Sequence, residues 1–163
     1  DCITNLKRTP IVIQSLLHDM PKSWITSNEG EGTWSAKQIM AHMILGERTD
    51  WITRAEIMLD PEADKNFVPF DMEGHFKMAE TMTTRLLHNE FSKLRSLNVS
   101  RLIAWNLTED DLNKTGIHPE FGEVTLREHL ATWVVHDLSH LAQICRVFAK
   151  QYAKEVGPWK KYH

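Results

Sequence analysis

The chain has 163 residues, 42% apolar and 25% charged, and is expected to fold as one globular domain over residues 1–163 around a single hydrophobic core. A formal net charge of −3 gives no electrostatic footprint for nucleic acid, and no apolar run reaches the ~18 residues a membrane span needs. Two cysteines, Cys2 at an expected frayed terminus and Cys145, make no disulfide framework. With the polar segment Asp1–Pro10, they point to a reducing, cytoplasmic setting.

Four long segments carry helical periodicity. The first runs from about Thr4 to Met20, with Leu6, Ile13, Leu16, Leu17 and Met20 on one stripe. Pro10 falls inside it, so the helix either starts there, with Thr9 as cap, or bends. Met20–Pro21 is a stop signal and Ser27–Thr33, with two glycines, reads as a loop. The second helix starts near Ser35, where Ser35 and Gln38 match a capping box, and ends before Asp60–Pro61. Its inward candidates are Ile39, His42, Met43, Gly46, Ile57 and Met58. The connection Asp60–Asp71 is long enough to cross a bundle from end to end.

The third helix spans about Glu73 to Leu107, with Asn98–Ser100 as a candidate break, since Asn and Ser compete for backbone hydrogen bonds. Thr108–Val124 reads as irregular. The fourth begins with a second capping box, Thr125 and Glu128, and continues to about Glu155, where Gly157–Pro158 stops it. No segment shows the alternation of a strand bounded by hairpin turns, so no sheet is expected. The pattern predicts an all-α four-helix bundle with long crossover connections.

Nine histidines and six tryptophans direct attention to the site. His136 and His140 are one helical turn apart, which places their β-carbons about 5–6 Å from each other, close enough to share an ion with Zn–N bonds of ~2.0–2.1 Å. His42 stands among Ile39, Met43 and Gly46 on the apolar face of another helix. Three inward histidines would each need a polar partner, and one divalent cation satisfies all of them. His129, two turns before His136, is about 10 Å too far along the axis to share that ion and is expected at a pocket mouth. His18, His75, His88 and His118 read as surface or capping residues, and His163 as terminal.

Candidate catalytic residues are Asp137 and Gln143. Asp137 takes the offset of the general base in the motif H-E-x-x-H but is one methylene shorter, so a solvated or supporting carboxylate is the preferred reading. Gln143 lies on the ligand face, where it can orient a water or an imidazole. Thr49 and Asp50 are candidates for the same cavity, and Cys145 is expected to be a small buried side chain. Trp34, Trp51, Trp105 and Trp133 read as core, with Trp51 and Trp133 as alternative pocket walls.

Trp34-Ser35 followed by His42, Glu47 and Trp51, then Gly122-Glu123-Val124-Thr125-Leu126 with Trp133, His136, Asp137, His140 and Gln143, resembles the DinB/YfiT-like superfamily. The ending Gln151-Tyr152 through Val156-Gly157-Pro158-Trp159 fits it as well. The resemblance implies a four-helix bundle, a metal triad at His42, His136 and His140, Zn²⁺ or Ni²⁺ as the ion, and a homodimer.

Three neutral ligands leave room for an open position, where water is acidified and a carbonyl polarised. Hydrolysis of a small-molecule substrate is the first reading. Transfer of a low-molecular-weight thiol activated at the metal is the second, and a non-catalytic metal-binding module the third. No nucleic-acid or membrane partner is expected.

Overall fold

The computed structural model describes residues 1–162; His163 lies outside them. Eight α-helices, α1 (Cys2–Leu17), α2 (Lys22–Thr26), α3 (Ala36–Thr49), α4 (Trp51–Leu59), α5 (His75–Thr81), α6 (Thr84–Ala104), α7 (Glu109–Leu112) and α8 (Leu126–Gln151), precede a 3₁₀ turn at Gly157–Tyr162. The long helices α1, α3, α6 and α8 form the bundle. Residue pairing fixes their sense. Thr9 meets Asp137 and Cys2 meets Leu130, so α1 and α8 run parallel. Leu6 meets Arg95 and Pro10 meets His88, so α1 and α6 are antiparallel. His42 meets His136 and Glu47 meets Trp133, which sets α3 against α8. Helices α3 and α6 are therefore parallel neighbours, and the segment between them is the crossover that its length predicts.

Pro10 neither starts nor ends α1; it sits inside. A proline there cannot donate to the carbonyl of Leu6, and Arg95 Nη1 takes that acceptor at 2.9 Å. The Pro10 carbonyl lies 3.0 Å from His88 Nε2. Tertiary hydrogen bonds thus satisfy a carbonyl that the helix leaves free.

Both capping boxes form: Ser35 Oγ accepts from Gln38 N and Thr125 Oγ1 from Glu128 N. The second segment is two helices rather than one, because the backbone turns at Asp50 (φ −114°, ψ −78°). The turn folds the Trp51 indole onto Gly46, where a β-carbon would meet Trp51 Nε1 at 3.0 Å. The third segment also divides, but at Met82–Thr83 rather than Asn98–Ser100. Asn98 stays helical because its amide donates to the Glu47 carboxylate and carbonyl instead of to its own backbone. Helix α8 stops at Gln151, short of Gly157.

One expectation fails outright. Thr115–His118 (β1) and Gly122–Thr125 (β2) form an antiparallel hairpin. His118 Nδ1 accepts from the backbone N–H of Glu120 and Phe121 across its turn. The crossover pairs with its outer strand: Ile117 N donates to the Lys65 carbonyl, and Phe67 N to that of Ile117. Four-residue strands are too short for alternation to show.

The core has two apolar halves. Ile13, Ile39, Met43, Ile44, Leu87, Phe91 and Ile144 fill one; Leu6, Trp51, Met58, Val99, Leu102, Leu130 and Trp133 fill the other. Between them lies a charged layer. Arg95 Nε and Nη2 donate to Glu47 Oε1 at 3.0 and 2.8 Å, and Nη2 also reaches Asp137 Oδ1 at 2.9 Å. Thr9 Oγ1 donates to Asp137 Oδ2 at 2.6 Å. The guanidinium is 4.8 Å from the Phe91 ring centroid and 5.2 Å from that of Trp133.

Removing Arg95 strands two carboxylates in this interior. Arg95→Met is expected to cost at least about 3–5 kcal/mol in urea unfolding. Arg101→Ala, which breaks the exposed pair with Glu56, is expected to cost no more than about 1 kcal/mol.

Candidate metal centre

His42 projects from α3, and His136 and His140 from successive turns of α8. Their ligand nitrogens all lie within 4.8 Å of one another. His136 Nε2 is 3.0 Å from His42 Nε2 and 3.1 Å from His140 Nε2. An ion ~2.0–2.1 Å from two nitrogens holds them roughly 3–3.4 Å apart at ordinary coordination angles. The spacing fits a divalent metal.

The donor chemistry fits too. Burial, reinforced by His140 and His136, lowers the pKa of His42 to about 3. Burial and His136 lower that of His140 to about 4, although its hydrogen bond with Gln143 opposes the shift. Both rings are neutral at pH 7, the form that ligates. Gln143 Oε1 is 2.9 Å from His140 Nδ1. With the proton on Nδ1 donated to that oxygen, Nε2 keeps its lone pair toward the centre. Gln143 therefore orients an imidazole, one of the two roles expected of it.

Asp137 is neither solvated nor directed at the centre. It is 2% exposed, engaged by Arg95 and Thr9, and its Oδ1 is 4.0 Å from His136 Nδ1, beyond hydrogen-bond length. Burial raises its pKa, but His136, Arg95 and Thr9 together hold it below the usual carboxylate range. Immediately after His136 on the helix, its side chain turns into the bundle. Across the layer, burial raises the Glu47 carboxyl despite Arg95 and Asn98.

Beside the cluster opens a cavity of about 360 Å³, lined by His42 and His136 and walled by Trp51, Phe67, Phe70 and Phe121. His129 lines it as expected and bonds the Trp51 carbonyl through Nε2 at 2.9 Å. Asp50 is there as well, with Oδ1 2.9 Å from Arg54 Nε. Burial raises its pKa, against the pull of Arg54, His129 and His136. Thr49 faces solvent and bonds its own helix. Two other hollows, of about 410 and 610 Å³, contain no member of the cluster.

Trp51 walls the cavity, whereas Trp133 is wholly buried, stacked on Trp51 with centroids 5.6 Å apart. Trp34 is the unexpected wall of the metal cluster, 4.8 Å from the His42 ring and stacked 6.2 Å from His140. Cys145 is exposed, because Ile144 and Val147 turn that stretch of α8 inward on its other side. Cys2 starts α1 and packs on the core instead of fraying. His75, expected at the surface, is fully buried. Its i,i+4 spacing from Ala79 was the available signal, as was the spacing of Arg95 four residues from both Phe91 and Val99.

The histidine shifts fix the sign of a pH effect. Between about pH 6.5 and 4 an unfolded chain protonates these rings while the folded chain excludes the proton. The metal-free protein is therefore expected to keep its thermal midpoint above about pH 6.5 and to lose stability progressively as pH falls below it. His42→Phe combined with His140→Phe is expected to flatten that slope in a calorimetric series.

The sequence matches the profile of the DinB superfamily over residues 5–144. No curated protein matches it significantly. Among solved structures, YfiT from Bacillus subtilis is similar with a TM-score of 0.78 at 18% identity, over 92% of this chain and 85% of that one. It is described as a probable metal-dependent hydrolase with an unusual four-helix bundle topology. TT2238, described as a four-helix bundle protein, is similar with a TM-score of 0.56 at 16% identity, over 86% of this chain and 93% of its own. The profile covers the bundle and all three clustered histidines, and the chain belongs to the DinB superfamily.

Proposed function

We propose that this protein is a metal-dependent hydrolase of a small molecule, with His42, His136 and His140 as ligands of one Zn²⁺ or Ni²⁺ ion. The observation that carries this reading is the convergence of three histidines, with His136 Nε2 3.0 Å from His42 Nε2 and 3.1 Å from His140 Nε2 and all ligand nitrogens within 4.8 Å, beside a cavity that two of the same rings line. Among the described residues no fourth His, Cys, Asp or Glu joins the cluster, which supports an open coordination position facing that cavity. The description of YfiT as metal-dependent supports it too. Imidazole donors suit both ions.

Held by neutral ligands, such an ion keeps its full charge, acidifies water to a pKa of ~7 and polarises a carbonyl. The chain supplies the rest. Gln143 sets the tautomer of His140. Trp51, Phe67, Phe70 and Phe121 exclude bulk water and receive the apolar body of a substrate. Asp50, rather than Asp137, is the carboxylate placed to exchange a proton there: it lines the cavity, and burial brings its pKa up toward the range a general base needs.

Elemental analysis of untagged protein is expected to find one Zn²⁺ or Ni²⁺ per chain, lost in His42→Ala, His136→Ala and His140→Ala. Against a panel of small esters and amides, Asp50→Asn is expected to keep the metal and lower kcat about 10²–10⁴-fold. Turnover that requires an added thiol would replace hydrolysis by thiol transfer. A bound metal that raises the melting temperature without any turnover would reduce the site to a stabilising module.

A further inference from the structure

Each imidazole of the cluster has one nitrogen turned to the centre and one turned away. A metal-ligating histidine almost always gives its outer N–H to an acceptor, which fixes the tautomer and the ring orientation. For His140 that acceptor is Gln143, at 2.9 Å. For His136 the nearest carboxylate is Asp137, at 4.0 Å, beyond hydrogen-bond length, and His136 Nδ1 is unpartnered. His42 Nδ1 is buried and has no partner.

A second buried imidazole lies next to it. His75 is 0% exposed, and neither of its ring nitrogens has a hydrogen-bond partner. Its ring packs against Phe76 at 4.1 Å and Trp34 at 4.5 Å, and is nearly perpendicular (78°) to that of His42 with centroids 5.4 Å apart. The Met72 carbonyl is near but outside hydrogen-bonding geometry. A neutral imidazole carries one donor and one acceptor, and burying both unpaired carries a desolvation penalty for each group. A phenylalanine in this aromatic nest would avoid that cost. The two nitrogens of one imidazole point apart, so a single buried water can join His42 Nδ1 to only one nitrogen of His75.

We infer that His75 is a positioning residue for the metal centre: it is the hydrogen-bond partner of His42 Nδ1 through one buried water, and holds His42 with Nε2 turned inward. The inference rests on the metal reading above. It pairs two of the three ligands through their outer nitrogens, His140 with Gln143 and His42 with His75, while His136 Nδ1 stands 4.0 Å from Asp137 Oδ1 with no hydrogen-bond partner. It also assigns a role to α5, whose first residue is His75, as the element that braces the α3 side of the centre.

The test compares wild type with His75→Phe and His75→Gln. Zn²⁺ affinity is measured by chelator competition, and the His42 tautomer by ¹⁵N chemical shifts in metal-free protein. Wild type is expected to hold His42 with the proton on Nδ1. His75→Phe is expected to mix the tautomers and weaken Zn²⁺ binding about 10–100-fold, while melting no lower than wild type without metal. His75→Gln, which restores an acceptor, is expected to recover most of both. Unchanged tautomer and affinity in His75→Phe would overturn the inference. If that variant melts lower, His75→Gln decides: recovery supports a hydrogen-bonding role, and failure to recover overturns it. Wild type that binds no Zn²⁺ would defeat the metal reading instead, and the tautomer comparison would still judge His75.

Discussion

The guanidinium of Arg95 is the constraint on which the rest of the molecule depends. From α6 it binds the Leu6 carbonyl of α1, the Glu47 carboxylate of α3 and the Asp137 carboxylate of α8. One planar group with five donors thus fixes the relative height and rotation of all four bundle helices. Apolar packing drives the collapse, but it tolerates sliding. Directional bonds to three partners do not. A buried charge cluster of this kind is a weak source of net stability, and its value here is register.

That register places the histidines. His42 is five residues before Glu47 on α3, and His136 immediately precedes Asp137 on α8, so the bonds that lock Glu47 and Asp137 also aim the two rings at each other. Asp137 turns into the bundle to meet Arg95, and its neighbour turns out to the cavity. The charged layer has two carboxylates for one guanidinium.

The cavity comes from a different feature, the interruption at Asp50. Continuing α3 straight into α4 would carry Trp51 away from Gly46. The kink instead lays the indole across the bundle, stacked on Trp133 and edge-on to His136 at 5.0 Å. The same turn brings Asp50 into the cavity wall beside Arg54. The crossover and the β1–β2 hairpin then close the far side with Phe67, Phe70 and Phe121. The site is therefore rigid on the helical side and covered on the other by connecting segments, the usual division between scaffold and specificity.

Much of this was written in the chain. The helical stripes, the capping boxes at Ser35 and Thr125 and the long crossover follow from local chemistry, because periodicity and caps act within a few residues. His136 and His140 were legible as a pair for the same reason, and His42 by its apolar neighbours. Three things were decided only in three dimensions. Pro10 and Asn98 look like breaks, but partners distant in sequence bind the groups that would have broken the helix. Asp137 looks solvent-facing until Arg95 arrives from another helix. His75 belongs to no motif, and only docking of α5 brings it against Trp34 and His42. Local sequence determines which elements form and which residue types can ligate, whereas the pairing of buried polar groups depends on contacts between segments far apart in the chain, and those contacts exist only after the helices have packed.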